Sequence, residues 1–296
     1  MPYRCPNCRE PLDARELVCA NGHRYAEVDG VLSLVSDDFA RQLGPFSAAL
    51  QQYRGRLGGG LRGRFHERFP ERPLDPAAYE ALPYGPTVDG DREWQQRQYD
   101  LELVCELLSG RDHQRVLDVG ASNGWLSHHL AEWGHTITGV DPFADPYDGL
   151  GARHFYRAHW RAVQMDLRDL SLLDECYEVV ILNRCLAFFP DPAVFLRHAQ
   201  MRVASGGMLV ALGLQIFFDS RAKANQVQTR AVAYRAEYGQ PFFLWPTRGY
   251  LDAGDKAGLT AAGLELRPYR QLWLPDLRAR LDPRRPRHYY GLWRPA

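Results

Sequence analysis

The stretch that constrains this chain most runs from Arg115 to Pro142, RVLDVGASNGWLSHHLAEWGHTITGVDP. Arg115 to Val119 is an apolar run too short for a helix, and Gly120-Ala121-Ser122-Asn123-Gly124 bounds it at once, so it reads as a buried strand. Trp125, Leu126, His129, Leu130 and Trp133 then recur at three- and four-residue intervals, and Gly134 stands where a left-handed cap ends a helix. A second strand, Thr136 to Val140, ends on Asp141. A strand feeding a small-residue turn and a helix N-terminus sets free N–H groups and the positive end of a helix dipole beside a ligand. An acid about twenty positions on, at the tip of the next strand, is placed to accept from two ribose hydroxyls. Asp141 holds that position, and the stretch is half of a doubly wound nucleotide site.

The spacing narrows the nucleotide. Dinucleotide loops read G-x-G-x-x-G, whereas this loop reads Asp118-x-Gly120-x-Ser122-x-Gly124. It resembles motif I of the class I S-adenosylmethionine (SAM) methyltransferases, D-x-G-x-G-x-G, with Ser122 in place of the middle glycine. The resemblance implies SAM as cofactor, with Asp118 serving its methionine end, Gly120, Ala121, Ser122 and Gly124 forming the cradle, and Asp141 and Pro142 at the ribose. Two other readings stay open. Gly120-x-Ser122-x-Gly124 is also the pattern of a hydrolase nucleophile elbow, although it follows the first strong strand of its domain rather than several. The loop is also readable as a glycine turn with no ligand.

The chain from Asp91 onward continues the pattern. Asp91 to Ser109 reads as a helix ended by Gly110, and Trp94, Arg97 and Tyr99 on it are candidates for the cofactor border, or for packing and surface pairing. A turn-rich loop follows Asp141, and Gly149 to Trp160 reads as a helix. Val163 to Leu167 reads as the third strand, and Cys176 to Asn183, apolar throughout, as a strand buried on both faces. The same resemblance implies that Asp166 accepts from the adenine amino group, that Leu167 packs on the ring or offers its backbone N–H, and that Asn183 faces the methionine end of SAM or the acceptor. Phe188-Phe189-Pro190-Asp191-Pro192 opens a helix to about Val203, and Ser205-Gly206-Gly207 turns into a fifth strand, Met208 to Gly213. Residues about 214–248 form an aromatic-rich insertion, helical in its middle, able to line an acceptor pocket or simply to pack. Tyr250 to Ala262 reads as a helix before Leu264-Glu265-Leu266, and His288 to Trp293 closes an antiparallel hairpin. The fold expected is α/β, a doubly wound, seven-stranded, mostly parallel sheet of Rossmann type over residues 91–296, with the last strand reversed.

Ahead of it, Cys5-x2-Cys8-x10-Cys19-x3-His23 sets two close pairs on tight turns, a spacing that converges on one tetrahedral ion and favours structural zinc. About forty residues bury too little surface to fold alone, so the metal would supply most of that stability. Four protein ligands leave no open position for catalysis. Residues 1–35 resemble the small zinc ribbons that finish in an aromatic, a D-G turn and an apolar strand, and the ligand set resembles that of bacterial large-subunit ribosomal RNA guanine methyltransferases. Residues 36–90 read as a connector with helical fragments, broken by Gly58-Gly59-Gly60 and by Pro70, Pro73, Pro76, Pro83 and Pro86. It serves as a solvated linker or as a lid ordering over the cofactor, and Tyr53 to Arg56 and Arg62 to Phe65 make a local basic run.

The formal net charge is zero, so nothing biases the chain as a whole toward nucleic acid or membrane. Lys223 and Lys256 are the only lysines, which discounts arginine clusters as functional signals. The other three cysteines, Cys105, Cys176 and Cys185, lie singly in apolar segments. There is no apolar core for a signal peptide and no run of membrane-spanning length, so a reducing cytoplasm and no membrane partner are expected. The function expected is SAM-dependent methyl transfer to a small metabolite or natural-product precursor. The alternatives are methylation of an RNA base and a catalytically inactive SAM-fold partner that docks through its ribbon. No acid–base pair stands at a motif-defined position; His128, His129, His154 and His159 lie on helical segments, one of the first pair expected to pack and the other to be solvated.

Overall fold

The computed structural model describes residues 3–13, 15–56, 60–68 and 75–295. Gly58, Gly59, Pro70 and Pro73 of the connector lie outside the described residues. The chain divides into two compact units, Met1–Tyr177 and Glu178–Ala296.

In the first unit, β1 (Glu27–Val28) and β2 (Val31–Leu34) form a hairpin over Asp29 and Gly30, both left-handed at φ 50° and 77°. This is the primed turn that an Asp-Gly pair favours. Four helices follow, α1 (Asp37–Arg56), α2 (Gly60–Arg68), α3 (Pro76–Glu80) and α4 (Arg92–Leu108). After them come β3 (Arg115–Val119), α5 (Trp125–Glu132), β4 (Thr136–Asp141) and β5 (Arg161–Met165). The strand order is β1-β2-β5-β4-β3, and β2, β5, β4 and β3 all run parallel. Parallel strands are buried on both faces, which is why Val116, Leu117, Val119 and Val140 are fully buried.

The apolar strand that ends the Cys/His segment, β2, is therefore part of the sheet, paired with β1 on one side and β5 on the other. Val31 to Leu34 pair with Ala162 to Met165, Tyr3 bridges to Leu173, and Arg4 pairs with Asp174. Arg153 completes the attachment by donating to the Gly30 carbonyl at 2.7 Å and to the Trp160 carbonyl at 3.0 Å.

The connector helices pack. Phe39, Leu43, Phe46 and Ala49 of α1 are buried, as is Tyr79 of α3. All three helices reach the loop that follows β4: Gln51 donates to Asp145 (2.9 Å), the Leu61 N–H to Asp148 (2.6 Å), and the Tyr79 hydroxyl to the Tyr147 carbonyl (3.0 Å). Only a six-residue 3-10 turn, Leu150–Phe155, forms where a helix was expected over Gly149 to Trp160. A Cβ on Gly149 or Gly151 would sit within 2.8 Å of backbone in the 143–146 loop, and that close approach leaves room only for the tighter turn.

The second unit contains β6 (Tyr177–Asn183, its first residue shared with the first unit), α6 (Pro192–Gln200), β7 (Val203–Phe217), α7 (Arg221–Tyr238) and β8 (Leu251–Asp252). It ends with α8 (Ala253–Ala261), β9 (Glu265–Pro268), α9 (Trp273–Leu281) and β10 (Arg287–Trp293). Its strand order is β6-β7-β10-β9, with β8 on β7 and β10 antiparallel to both neighbours. The expected seven strands are thus present as β3, β4, β5, β6, β7, β9 and β10, the last reversed. Strand β7 starts earlier and ends later than expected, and Ser205 to Gly207 lie inside it rather than in a turn. A side chain on Gly207 would meet the Glu178 carbonyl at 2.7 Å, so the glycine permits close strand approach.

Candidate functional site

Three alternate residues of the loop after β3 are left-handed: Gly120 (φ 80°), Ser122 (φ 55°) and Gly124 (φ 83°). The bend folds the chain back so that the Gly120 and Ala121 N–H groups donate to the Val140 carbonyl at 2.9 and 3.1 Å. Ser122 therefore carries the conformation that the glycine of the D-x-G-x-G-x-G pattern would adopt without strain. Trp160 packs against Gly124 and Gly139, where an added Cβ would meet its ring at 2.2 and 2.8 Å. Asp118 is fully buried, its carboxylate accepting the Ser127 hydroxyl of α5 at 2.8 Å.

Asp141 comes to this bend. One carboxylate oxygen accepts the Ser122 N–H and the other the Phe143 N–H, both at 2.9 Å. A carboxylate has about four acceptor sites, so about two remain for a ligand's hydroxyls. Burial pushes the Asp141 carboxyl up from 3.8 to about 6, against the pull of these N–H groups and of the Arg54 charge. Arg54 also acts on Asp148, whose carboxyl burial raises as well. The sequence placed Arg54 in a basic run without linking it to Asp141, because no local spacing ties α1 to the end of β4. A cavity of about 230 Å³ is lined by Leu50, Gln51 and Arg54 of α1 and by Phe143 to Pro146.

The remaining expected residues are engaged locally. Pro142 is buried and its carbonyl accepts the Gln164 amide at 3.0 Å. Asp166 caps the following turn through the Arg168 N–H and forms an ion pair with that guanidinium at 2.6 Å; Leu167 is buried. Asn183 ends β6 in the second unit, buried, with no hydrogen-bond partner for its amide nitrogen. Trp94 is buried edge-to-face on Trp125 at 6.3 Å and Arg97 lies over its ring, so both serve packing. Of the two histidines of α5, His128 is buried, stacks on Tyr156 and is held by burial below its ordinary pKa, whereas His129 is partly exposed and meets the Leu82 carbonyl at 2.5 Å. In the insertion Tyr234 and Trp245 are buried, and Trp245 stacks on Phe189 at 5.1 Å.

At the N-terminus the ligand atoms of Cys5, Cys8, Cys19 and His23 all lie within 4.8 Å of one another. His23 Nδ1 is 3.5 Å from Cys5 Sγ and 3.2 Å from Cys19 Sγ, and Cys8 Sγ is 3.6 Å from Cys19 Sγ. A tetrahedral zinc with bonds of about 2.3 Å to sulfur and about 2.0 Å to nitrogen holds its ligands about 3.5–3.8 Å apart, so the donor set fits. The Asn21 side chain, with the Glu10 backbone, brings the Cys8 thiol down to about 6. The Tyr25 hydroxyl, 3.0 Å from Cys5 Sγ, is a neighbour that the spacing did not reveal.

Parallel strands, a left-handed small-residue bend after β3, a carboxylate at the tip of β4 answering it, and a reversed last strand define the α/β class I methyltransferase fold. Residues 92–262, more than half of the chain, match the family model described as a methyltransferase domain, and the chain belongs to that family. It is 28% identical over 113 residues to the ubiquinone biosynthesis O-methyltransferase of Nitrosomonas europaea, covering 36% of this chain and 46% of the relative. It is 33% identical over 103 residues to the enzyme of the same name from Paramagnetospirillum magneticum, covering 33% and 40%. The matched stretch thus spans less than half the length of these relatives. Among solved structures, magnesium protoporphyrin IX methyltransferase of Synechocystis PCC 6803 aligns over 84% of this chain and 100% of its own, with 16% identity and a TM-score of 0.44.

Proposed function

We propose that this protein transfers a methyl group from SAM to a small metabolite or natural-product precursor in the cytoplasm. The observation that carries the reading is the Asp141 carboxylate held against the Ser122 N–H of the motif I bend, which supports a grip on the ribose and the amino-acid half of one ligand. SAM, when bound, supplies a sulfonium methyl as the electrophile. The chain's part is to bind and orient: Gly120, Ala121, Ser122 and Gly124 cradle the ligand, Asp118 answers its methionine end, Asp141 and Pro142 its ribose, and Asp166 and Leu167 its adenine. Asn183 belongs to the same proposal, toward the methionine end or the acceptor. Holding the acceptor atom about 3 Å from the methyl and excluding water supplies most of the rate, without a dedicated base.

The names of the matched relatives support a small-molecule acceptor for this chain. A second reading, an RNA base, is supported by the Cys/His cluster and its likeness to the ribbons of ribosomal RNA guanine methyltransferases. We further propose that Cys5, Cys8, Cys19 and His23 hold one structural zinc. Titration with SAM tests the cofactor, and Asp141→Ala should abolish binding. Transfer of tritiated methyl into small-molecule extract, set against ribosomal RNA from a deletion strain, tests the acceptor. Label in the RNA alone would replace the metabolite reading, and label in neither would point to an inactive docking partner.

A further inference from the structure

Helix α9 presents an apolar stripe to solvent. Trp273 is 65% exposed and Leu281 84%, and Leu274 and Leu277 are exposed between them. At about 100° per residue these four side chains fall within an arc of about 100°, and the buried Ala279 lies opposite. Arg280 stands about 20° beyond one edge of the arc and Arg278 about 40° beyond the other, both exposed.

The helix is held in that orientation from beneath. Asp276 accepts the His288 N–H at 3.0 Å and faces His288 Nδ1 at 2.9 Å, fixing α9 to β10, and the Asp219 N–H donates to the Pro283 carbonyl at 2.8 Å. A pinned helix with its large apolar side chains outward and its one buried residue an alanine leaves that face without a partner among the described residues.

Charge selects the occupant. From Arg270 to Arg287 the sequence has six arginines and two aspartates, in a chain whose net charge is zero. A second copy would bring like charge against like charge, whereas an anionic lipid surface accepts both the apolar stripe and the flanking guanidinium groups, whose stems lie along the apolar region while the heads reach phosphate. We infer that α9 lies in the interface of an anionic phospholipid bilayer, with Trp273, Leu274, Leu277 and Leu281 inserted and Arg278 and Arg280 on the headgroups. No helix among the described residues is long and apolar enough to cross a membrane, so this is attachment at the surface.

The test is flotation of the full chain with vesicles of phosphatidylcholine alone and of equimolar phosphatidylcholine and phosphatidylglycerol. Binding is expected to the anionic vesicles only, and to weaken in high salt. Leu277→Glu/Leu281→Glu should lower the bound fraction at least about tenfold with an unchanged melting temperature, because both side chains are already exposed. Arg278→Glu/Arg280→Glu should do the same and serves as the second variant should the first misfold. Absence of binding to anionic vesicles, or binding that both variants retain, overturns the inference. So does a wild-type dimer in sedimentation velocity that the leucine variant converts to monomer without vesicle binding.

Discussion

On the proposed ribose contact, the buried carboxylate at the end of β4 should make SAM affinity a function of pH. Asp141 titrates at about 6 in the folded chain because burial penalises its charge, against 3.8 in the unfolded chain. Its ionised form is the one able to accept from two ribose hydroxyls without spending a donor. If only that form binds, the apparent Kd is the intrinsic Kd divided by the ionised fraction. That fraction is about one in eleven at pH 5 and about nine in ten at pH 7, so affinity should fall about tenfold between pH 7 and pH 5. The linked effect on stability has the opposite direction. A carboxyl whose pKa rises on folding binds a proton more tightly in the folded state, so its contribution is fully favourable below 3.8 and is lost as pH rises through about 6. Above that, the charge costs about 3 kcal/mol at 1.36 kcal/mol per pH unit. Asp141→Asn removes the titration, so the stability of the variant relative to wild type should move in its favour by about 2 to 3 kcal/mol between pH 4 and pH 8. Isothermal titration at the two pH values and urea unfolding across the range measure both. A wild-type Kd that is flat between pH 5 and pH 7, or an Asn variant with the same pH profile as wild type, would refute the reasoning.

Gly124→Ala should cost about 2–4 kcal/mol, seen as a lowered melting temperature, because the position is left-handed and the new Cβ would meet Trp160 at 2.2 Å. Ser122→Gly should instead be neutral or stabilise by up to about 1 kcal/mol, since glycine adopts the same bend without strain. Elemental analysis should find one zinc per chain, lost in Cys8→Ser and His23→Ala; a full complement of zinc in both variants would remove the cluster assignment. Arg153→Ala should cost about 2–3 kcal/mol through two lost hydrogen bonds and raise amide exchange in β1 and β2, and unchanged exchange there would show that the hairpin does not depend on it.

The cofactor half of the fold was legible because its signals are local. Arg115 to Asp141 became strand, bend, helix and strand where the periodicity and the glycines placed them, since a short apolar run and a left-handed bend are set by neighbouring residues. The helix starts at Asp91 and at Asp191-Pro192 were legible for the same local reason, and in the fold both aspartates cap their helices through N–H groups two and three residues on. The turn at Gly149 to Tyr156 was not, because its backbone packs against a loop whose position the local sequence does not express.

What the sequence determined by itself was the set of chemical groups and the nearest-neighbour geometry: three thiols and an imidazole in two pairs, a small-residue bend, and an acid at a strand tip. Tertiary structure alone decided that the Cys/His segment ends as a strand paired parallel to β5, that three connector helices are tied to the loop after β4, and that Arg54 acts on Asp141. It also decided that α9 turns its leucines and Trp273 outward. The division is physical: caps, bends and periodicity act over a few bonds, whereas strand pairing, burial and the field at a carboxylate depend on residues that only the folded chain brings together.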